Sequence, residues 1–126
     1  MGRPNNANEW FARGDNDIDD AEFLFKHDRA KETVSFHIQQ AAEKYLKGFL
    51  ISKGKELEMI HDLVKLLQGA IALDPDFRQF KDIIKKITNF YFESRYPVGY
   101  EVEYKKEEIS EALAEVRKLI ALIKIK

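Results

Sequence analysis

The residues from Phe36 to Leu50 leave few options for the fold. Val34, Ile38, Ala41, Ala42, Tyr45, Leu46, Phe49 and Leu50 recur at steps of three and four, which gathers side chains on one face of an α-helix. His37, Gln40, Lys44 and Lys47 run between them as a polar stripe. Ala41 and Ala42 are small enough to admit another backbone, and Tyr45 and Phe49 fill space a turn later. A helix with so broad an apolar face needs several neighbours, so the rest of the chain is expected to surround it.

Read in order, the chain supplies those neighbours. A first helix is expected over Ala7–Lys26, capped by Asn6 with Glu9 three residues on. Trp10, Phe11, Ile18, Ala21, Leu24 and Phe25 share one side of it, and Gly14 is a soft spot costing about 1 kcal/mol against Ala. After a short turn Asp28 can cap a second helix over Arg29–Lys53. Gly54 follows, where a left-handed residue closes a helix well. A loop, Lys55–Ile60, leads to a third helix over His61–Leu73, with Asp62 in its first turn. Asp74-Pro75-Asp76 then starts a fourth helix, Pro75–Ser94, because Asp caps and Pro suits the first helical position. Its apolar side is Phe77, Phe80, Ile84, Ile87 and Tyr91, flanked by Ile83 and Phe90. Pro97 disfavours helical geometry at Tyr96 and ends it. Glu101–Tyr104 alternates but is too short to found a sheet. A fifth helix is expected over Lys105–Ile125 on a seam of Ile109, Leu113, Val116, Ile120 and Ile123. The fold class is all-α, an antiparallel up-and-down bundle of four to five helices.

The 126 residues suit one domain, 1–126, with 1–7 a loose N-terminal segment. A net charge of −1 argues against a sequence-blind polyanion binder, whose affinity comes from releasing many counterions. Charge is unevenly placed all the same: six acids lie between Glu9 and Glu22 against Arg13 alone, and Lys81, Lys85 and Lys86 lie together. There is no cysteine, so disulfides and thiolate metal sites are excluded. No apolar run approaches the ~18 residues that mark a membrane span. Met1–Asn6 has no apolar core behind it, so no signal peptide is expected, and the cytoplasm is the default.

Three stretches carry a resemblance. Phe36-His37-Ile38-Gln39-Gln40-Ala41-Ala42-Glu43-Lys44-Tyr45-Leu46-Lys47, then His61-Asp62-Leu63, then Ser94-Arg95-Tyr96-Pro97 resemble, in order and spacing, the FHxQQAAEKxLK, HDL and SRYP signatures of the HEPN family (higher eukaryotes and prokaryotes nucleotide-binding domain). The resemblance runs from about Glu9 to Ile125. It implies a helical bundle, usually a homodimer, found beside a small nucleotidyltransferase in two-gene, often toxin–antitoxin, modules. Some such proteins bind nucleotides, and others are metal-independent ribonucleases. The ribonuclease branch carries an Arg followed after four to six residues by a His. Here the positions after Arg95 hold Tyr100, Glu101 and Val102, and His37 follows Arg29 with seven residues between. Without that His the general acid–base step lacks its proton carrier, so a binding component is expected rather than an enzyme. Val98 also stands where many relatives place an acid.

The residues themselves sort the site candidates. Arg95 offers a planar, permanently charged fork to a phosphate, beside Tyr96 as a stacking surface. Alternatively Arg95 ties down the Pro97 turn through a salt bridge such as one to Glu43, and Tyr96 packs. Lys44 and Lys47, a turn apart, can cradle an anion or simply face water. Gln40, with Gln39, can read a base edge or bond between helices. His61 can touch phosphate or brace the start of its helix. No His, Asp or Glu spacing fits a metal site, and no cofactor motif is present. The expected partners are a second copy of the chain, a small nucleotidyltransferase, and nucleotide or RNA, with no membrane. Two readings compete with nucleotide or RNA binding. One is a divergent metal-independent ribonuclease using Arg95 with His61 or His37. The other is a structural dimerisation adaptor without ligand.

Overall fold

The computed structural model describes residues 6–56, 62–93 and 105–126. These form five α-helices: α1 Ala7–Lys26, α2 Lys31–Ser52, α3 Leu63–Leu73, α4 Lys81–Glu93 and α5 Lys106–Lys124. A 3-10 turn of helix, Pro75–Phe80, precedes α4. The expected antiparallel all-α bundle is the observed architecture, and no strand occurs among the described residues. α2 is its axis. It packs against α1, α3, α4 and α5, whereas α1 touches neither α3 nor α4.

The core follows the apolar spacing of the sequence. Ile38, Ala41, Ala42, Tyr45, Leu46 and Phe49 of α2 are buried, as are Ile109, Val116, Ile120 and Ile123 of α5. Phe77 and Phe80 of the 3-10 segment are buried too, and the Phe77 ring lies 4.7 Å from that of Phe49. Two glycines make room for aromatic rings at the α1–α2 seam. A Cβ on Gly14 would fall 2.5 Å from the Tyr45 ring, and one on Gly48 2.5 Å from the Phe11 ring. Gly14 is therefore the notch that admits Tyr45, not a soft spot in α1.

Several helix ends differ from the sequence expectation for local reasons. Asp28 does not cap α2, which begins at Lys31 without a side-chain cap. Asp28 instead takes a left-handed φ of 51° and closes α1. Its amide donates to Phe25 and that of Arg29 to Leu24, the paired reverse bonds of a Schellman motif. Gly54 (φ 80°) closes α2 in the same way, as expected. Asp62 is the N-cap of α3, accepting from the amides of Val64 at 3.0 Å and Lys65 at 3.3 Å, so the helix starts at Leu63. Asp74 caps the next segment, accepting from the Asp76 amide at 3.0 Å. That segment winds as 3-10 helix to Phe80 before becoming α4, where one continuous helix was expected. The expectations for His61 and for Ser94–Tyr104 lie outside the described residues, as does the side chain of Tyr91.

Candidate functional site

The polar residues of α2 divide into two groups according to what covers them. On the side facing α1, Asp17 joins two of them. Its Oδ1 lies 2.9 Å from Nδ1 of His37, and its Oδ2 accepts from Nζ of Lys44. His37 and Lys44 are seven residues apart, two helical turns, so both reach the same side of α2. An ionised carboxylate only accepts, so Nδ1 of His37 carries the proton and Nε2 is left on the far side of the ring. An ammonium has three donors, so Lys44 keeps N–H groups beyond the one given to Asp17. Asp17 is buried, while the side chains of His37 and Lys44 are 23% and 21% exposed. A buried carboxylate thus holds two cationic or proton-carrying groups at the edge of the α1–α2 seam.

The second group is interior. Lys47 and Glu43 are 5% and 6% exposed, and their charged ends lie 3.5 Å apart. The Lys47 ammonium also stands 5.2 Å from the centre of the Trp10 ring, which places it against the ring's negative face. Lys47 therefore faces the bundle, away from any anion on the surface. Gln40 is partly exposed on the same stripe. Gln39 is buried, and its Oε1 has no hydrogen-bond partner among the described residues. The same holds for Ser35 Oγ, one turn earlier on α2, and for Nε1 of Trp10.

Next to the seam, the Tyr45 hydroxyl donates to Asp15. Burial, then that hydrogen bond, pushes its pKa well above the ordinary 10.0, so it stays protonated. Arg117 of α5 reaches α1 with Nε 2.6 Å from Glu22 and Nη2 3.0 Å from Asp19. This uses up part of the acidic run that the sequence shows on α1. No cluster of three or more His, Cys, Asp or Glu able to hold a metal occurs among the described residues.

Of the six sequence candidates, the structure describes Lys44, Lys47 and Gln40. It brings Lys44 to the seam and turns Lys47 inward. Arg95, Tyr96 and His61 lie outside the described residues. Asp17 escaped the sequence reading as a site, and His37 entered it only as a possible histidine of the ribonuclease alternative. Asp17 is 20 and 27 residues from its partners, and only the pairing of α1 with α2 brings them together.

A helical bundle whose central helix carries ionic groups on two faces, one sealed and one half-open, is a fold shared with known proteins. The model of the HEPN domain matches residues 7–126, and the chain belongs to that family. It is similar to the crystal structure of TT1696 from Thermus thermophilus, at 24% identity and a TM-score of 0.76 over 96% of this chain and 98% of that one. It is also similar to the crystal structure of ST0689, an archaeal HEPN homologue, at 22% identity and a TM-score of 0.72 over 94% and 95% of the two chains. At these identities the likeness concerns the fold. No curated protein matches the chain. No helix among the described residues is long and apolar enough to cross a membrane.

Proposed function

We propose that this HEPN protein binds a nucleotide or RNA at the α1–α2 seam, with Lys44 and His37 facing the phosphates and Arg95, Tyr96, His61 and Gln40 completing the site. The single observation that carries the reading is the Asp17 carboxylate, which fixes both side chains from one buried anchor. Ordering in advance lowers the cost of binding, because long side chains need not be immobilised by the ligand. Lys47 is left out of the site, since it is buried against Glu43 and Trp10. Calorimetry with ATP, GTP and a short RNA tests the proposal. Heat with at least one of them, reduced in Arg95→Ala, is the expected result, and no heat with any ligand overturns it.

The family further supports a homodimer that pairs with a small nucleotidyltransferase. Light scattering on the chain alone should then give twice the 14.7 kDa of one copy. A protein that stays monomeric at tens of micromolar, and that a nucleotidyltransferase encoded beside it does not bind, removes that part.

A second reading rests on the same dyad. With Nδ1 held by Asp17, His37 has the arrangement of an oriented general base. Nε2 would take the proton of an RNA 2′-hydroxyl while the 2′-oxygen attacks phosphorus. The 5′-oxygen would leave with a proton from Lys44, giving a cyclic phosphate and a 5′-hydroxyl. Labelled RNA cut in the presence of chelator, and left intact by His37→Ala, supports this reading. RNA that stays whole at micromolar protein excludes it.

A further inference from the structure

A second face of the molecule has the chemistry of a ligand site. Between α3 and α4 lies a half-open cavity of about 290 Å³. Its apolar wall comes from Val64, Leu67 and Ile71 on α3 and Ile84 on α4. Val64, Leu67 and Ile71 stand at i, i+3 and i+7, one stripe of α3. Leu67 and Ile84 are buried core residues, but Val64 is 36% exposed. So the apolar stripe of α3 continues past the core into the cavity and reaches solvent.

The rim is basic. Lys81 and Lys85, one turn apart on α4, both line the cavity, with Asp82 and Gln68 beside them. Neither lysine has an ion-pair partner within 4.0 Å among the described residues. The neighbouring Lys86 lies outside the cavity lining and is paired with Glu111 at 3.7 Å. Lys65 and Lys124 are likewise without an ion-pair partner among the described residues, but neither lines this cavity. Lys81 and Lys85 therefore keep their donors for something that enters the apolar hollow beside them.

We propose that this groove binds a small amphiphilic anion, an apolar body about the size of one ring system or a short chain carrying a single carboxylate, sulfonate or phosphate. The body would rest on Val64, Leu67 and Ile71, and the head would take N–H donors from Lys81 and Lys85. A cavity near 300 Å³ lies at the small end of ligand pockets, which excludes large cofactors. Asp82 on the rim limits the charge accepted and disfavours polyanions. The groove is separate from Asp17, His37 and Lys44, since among the described residues α1 contacts neither helix that forms it.

The test is a fluorescence titration of the whole protein with anilinonaphthalene sulfonate, an apolar ring system with one anionic head. Octanoate and adenosine monophosphate serve as competitors. Saturable binding to one site is expected, displaced by octanoate if the natural body is an acyl chain or by the nucleotide if it is an aromatic ring. Lys85→Ala and Lys81→Ala should each weaken it roughly fivefold, the scale of an exposed ion pair. Val64→Asp should abolish it while circular dichroism shows the helices intact. Lys86→Ala should leave it unchanged. The proposal is overturned by dye binding that does not saturate, that neither competitor displaces, or that is equal in wild type, Lys85→Ala and Val64→Asp.

Discussion

Gly14 of α1 and Tyr45 of α2 occupy complementary space: a Cβ on the glycine would lie 2.5 Å from Cδ2 of the ring. The relation is reciprocated one turn away, where Gly48 of α2 faces the ring of Phe11. The two aromatic rings stack on each other at 5.1 Å. At an exposed helical site, replacing Gly by Ala stabilises by about 1 kcal/mol. Here the added methyl meets a buried ring that has nowhere to go, and overpacking of this kind costs about 1–3 kcal/mol. Gly14→Ala is therefore expected to lower the urea midpoint, against the helix-propensity trend. A raised midpoint would mean that the seam is looser than described.

The ends of α1 and α2 make the opposite prediction. Asp28 closes α1 with φ 51° where Gly54 closes α2 with φ 80°. Non-glycine residues are disfavoured in this region, Asp less than most. Asp28→Gly should be neutral or stabilising by up to about 1 kcal/mol, even though it gives up the exposed 3.3 Å pair with Lys106. Gly54→Ala should destabilise by about 1 kcal/mol. Thermal melts of both variants check the pair.

Two ion pairs give stability a defined dependence on pH. Arg117, by hydrogen bond and charge, holds the Glu22 carboxyl below its ordinary 4.5. A carboxyl whose pKa is lowered by folding contributes its full stability above 4.5, and that contribution is lost as pH falls through the folded value. Glu22→Gln should flatten the acid limb of the stability curve. At the other end of the scale, Asp74 and then Asp76 raise the Lys126 ammonium above 10.5. Its contribution is complete below 10.5 and is lost as pH rises through the folded value, so Lys126→Met should flatten the alkaline limb. Both effects should shrink in high salt, because the groups face solvent.

Lys47 distinguishes a structural lysine from a binding one. Its ammonium is buried beside Glu43 and Trp10. Lys47→Met keeps the apolar stem but removes the charge that faces Glu43. Removing one member of a buried pair costs roughly 3 kcal/mol, so a large fall in melting temperature is expected, with ligand affinity unchanged in the folded protein. The reverse result, affinity lost and stability kept, would return Lys47 to the site.

The fold was legible in the sequence because apolar spacing of three and four residues recurs in every helix. Ile109, Leu113, Val116, Ile120 and Ile123 of α5 were all expected to be buried and are. The hairpin of α1 and α2 was less legible. Gly14 reads locally as a weak helix residue, and its packing role depends on a ring 31 positions away. The same distance problem hid Asp17, whose charge resembles its exposed neighbours Asp19 and Asp20 until α2 is laid against α1. Lys44 and Lys47 look alike in sequence, and the rotation of α2 separates them. Helix caps depend on backbone angles, which is why Asp28 was expected to start α2 and instead ends α1.

The most direct test of the proposed function is the affinity of the intact protein for a short RNA, measured calorimetrically in wild type and Lys44→Ala under identical salt. If Asp17 presents Lys44 to a phosphate, Lys44→Ala should raise Kd about tenfold, the value of one hydrogen bond to a charged group, with the helical fold intact. Equal affinity in the two proteins, or no binding by wild type, would contradict the account.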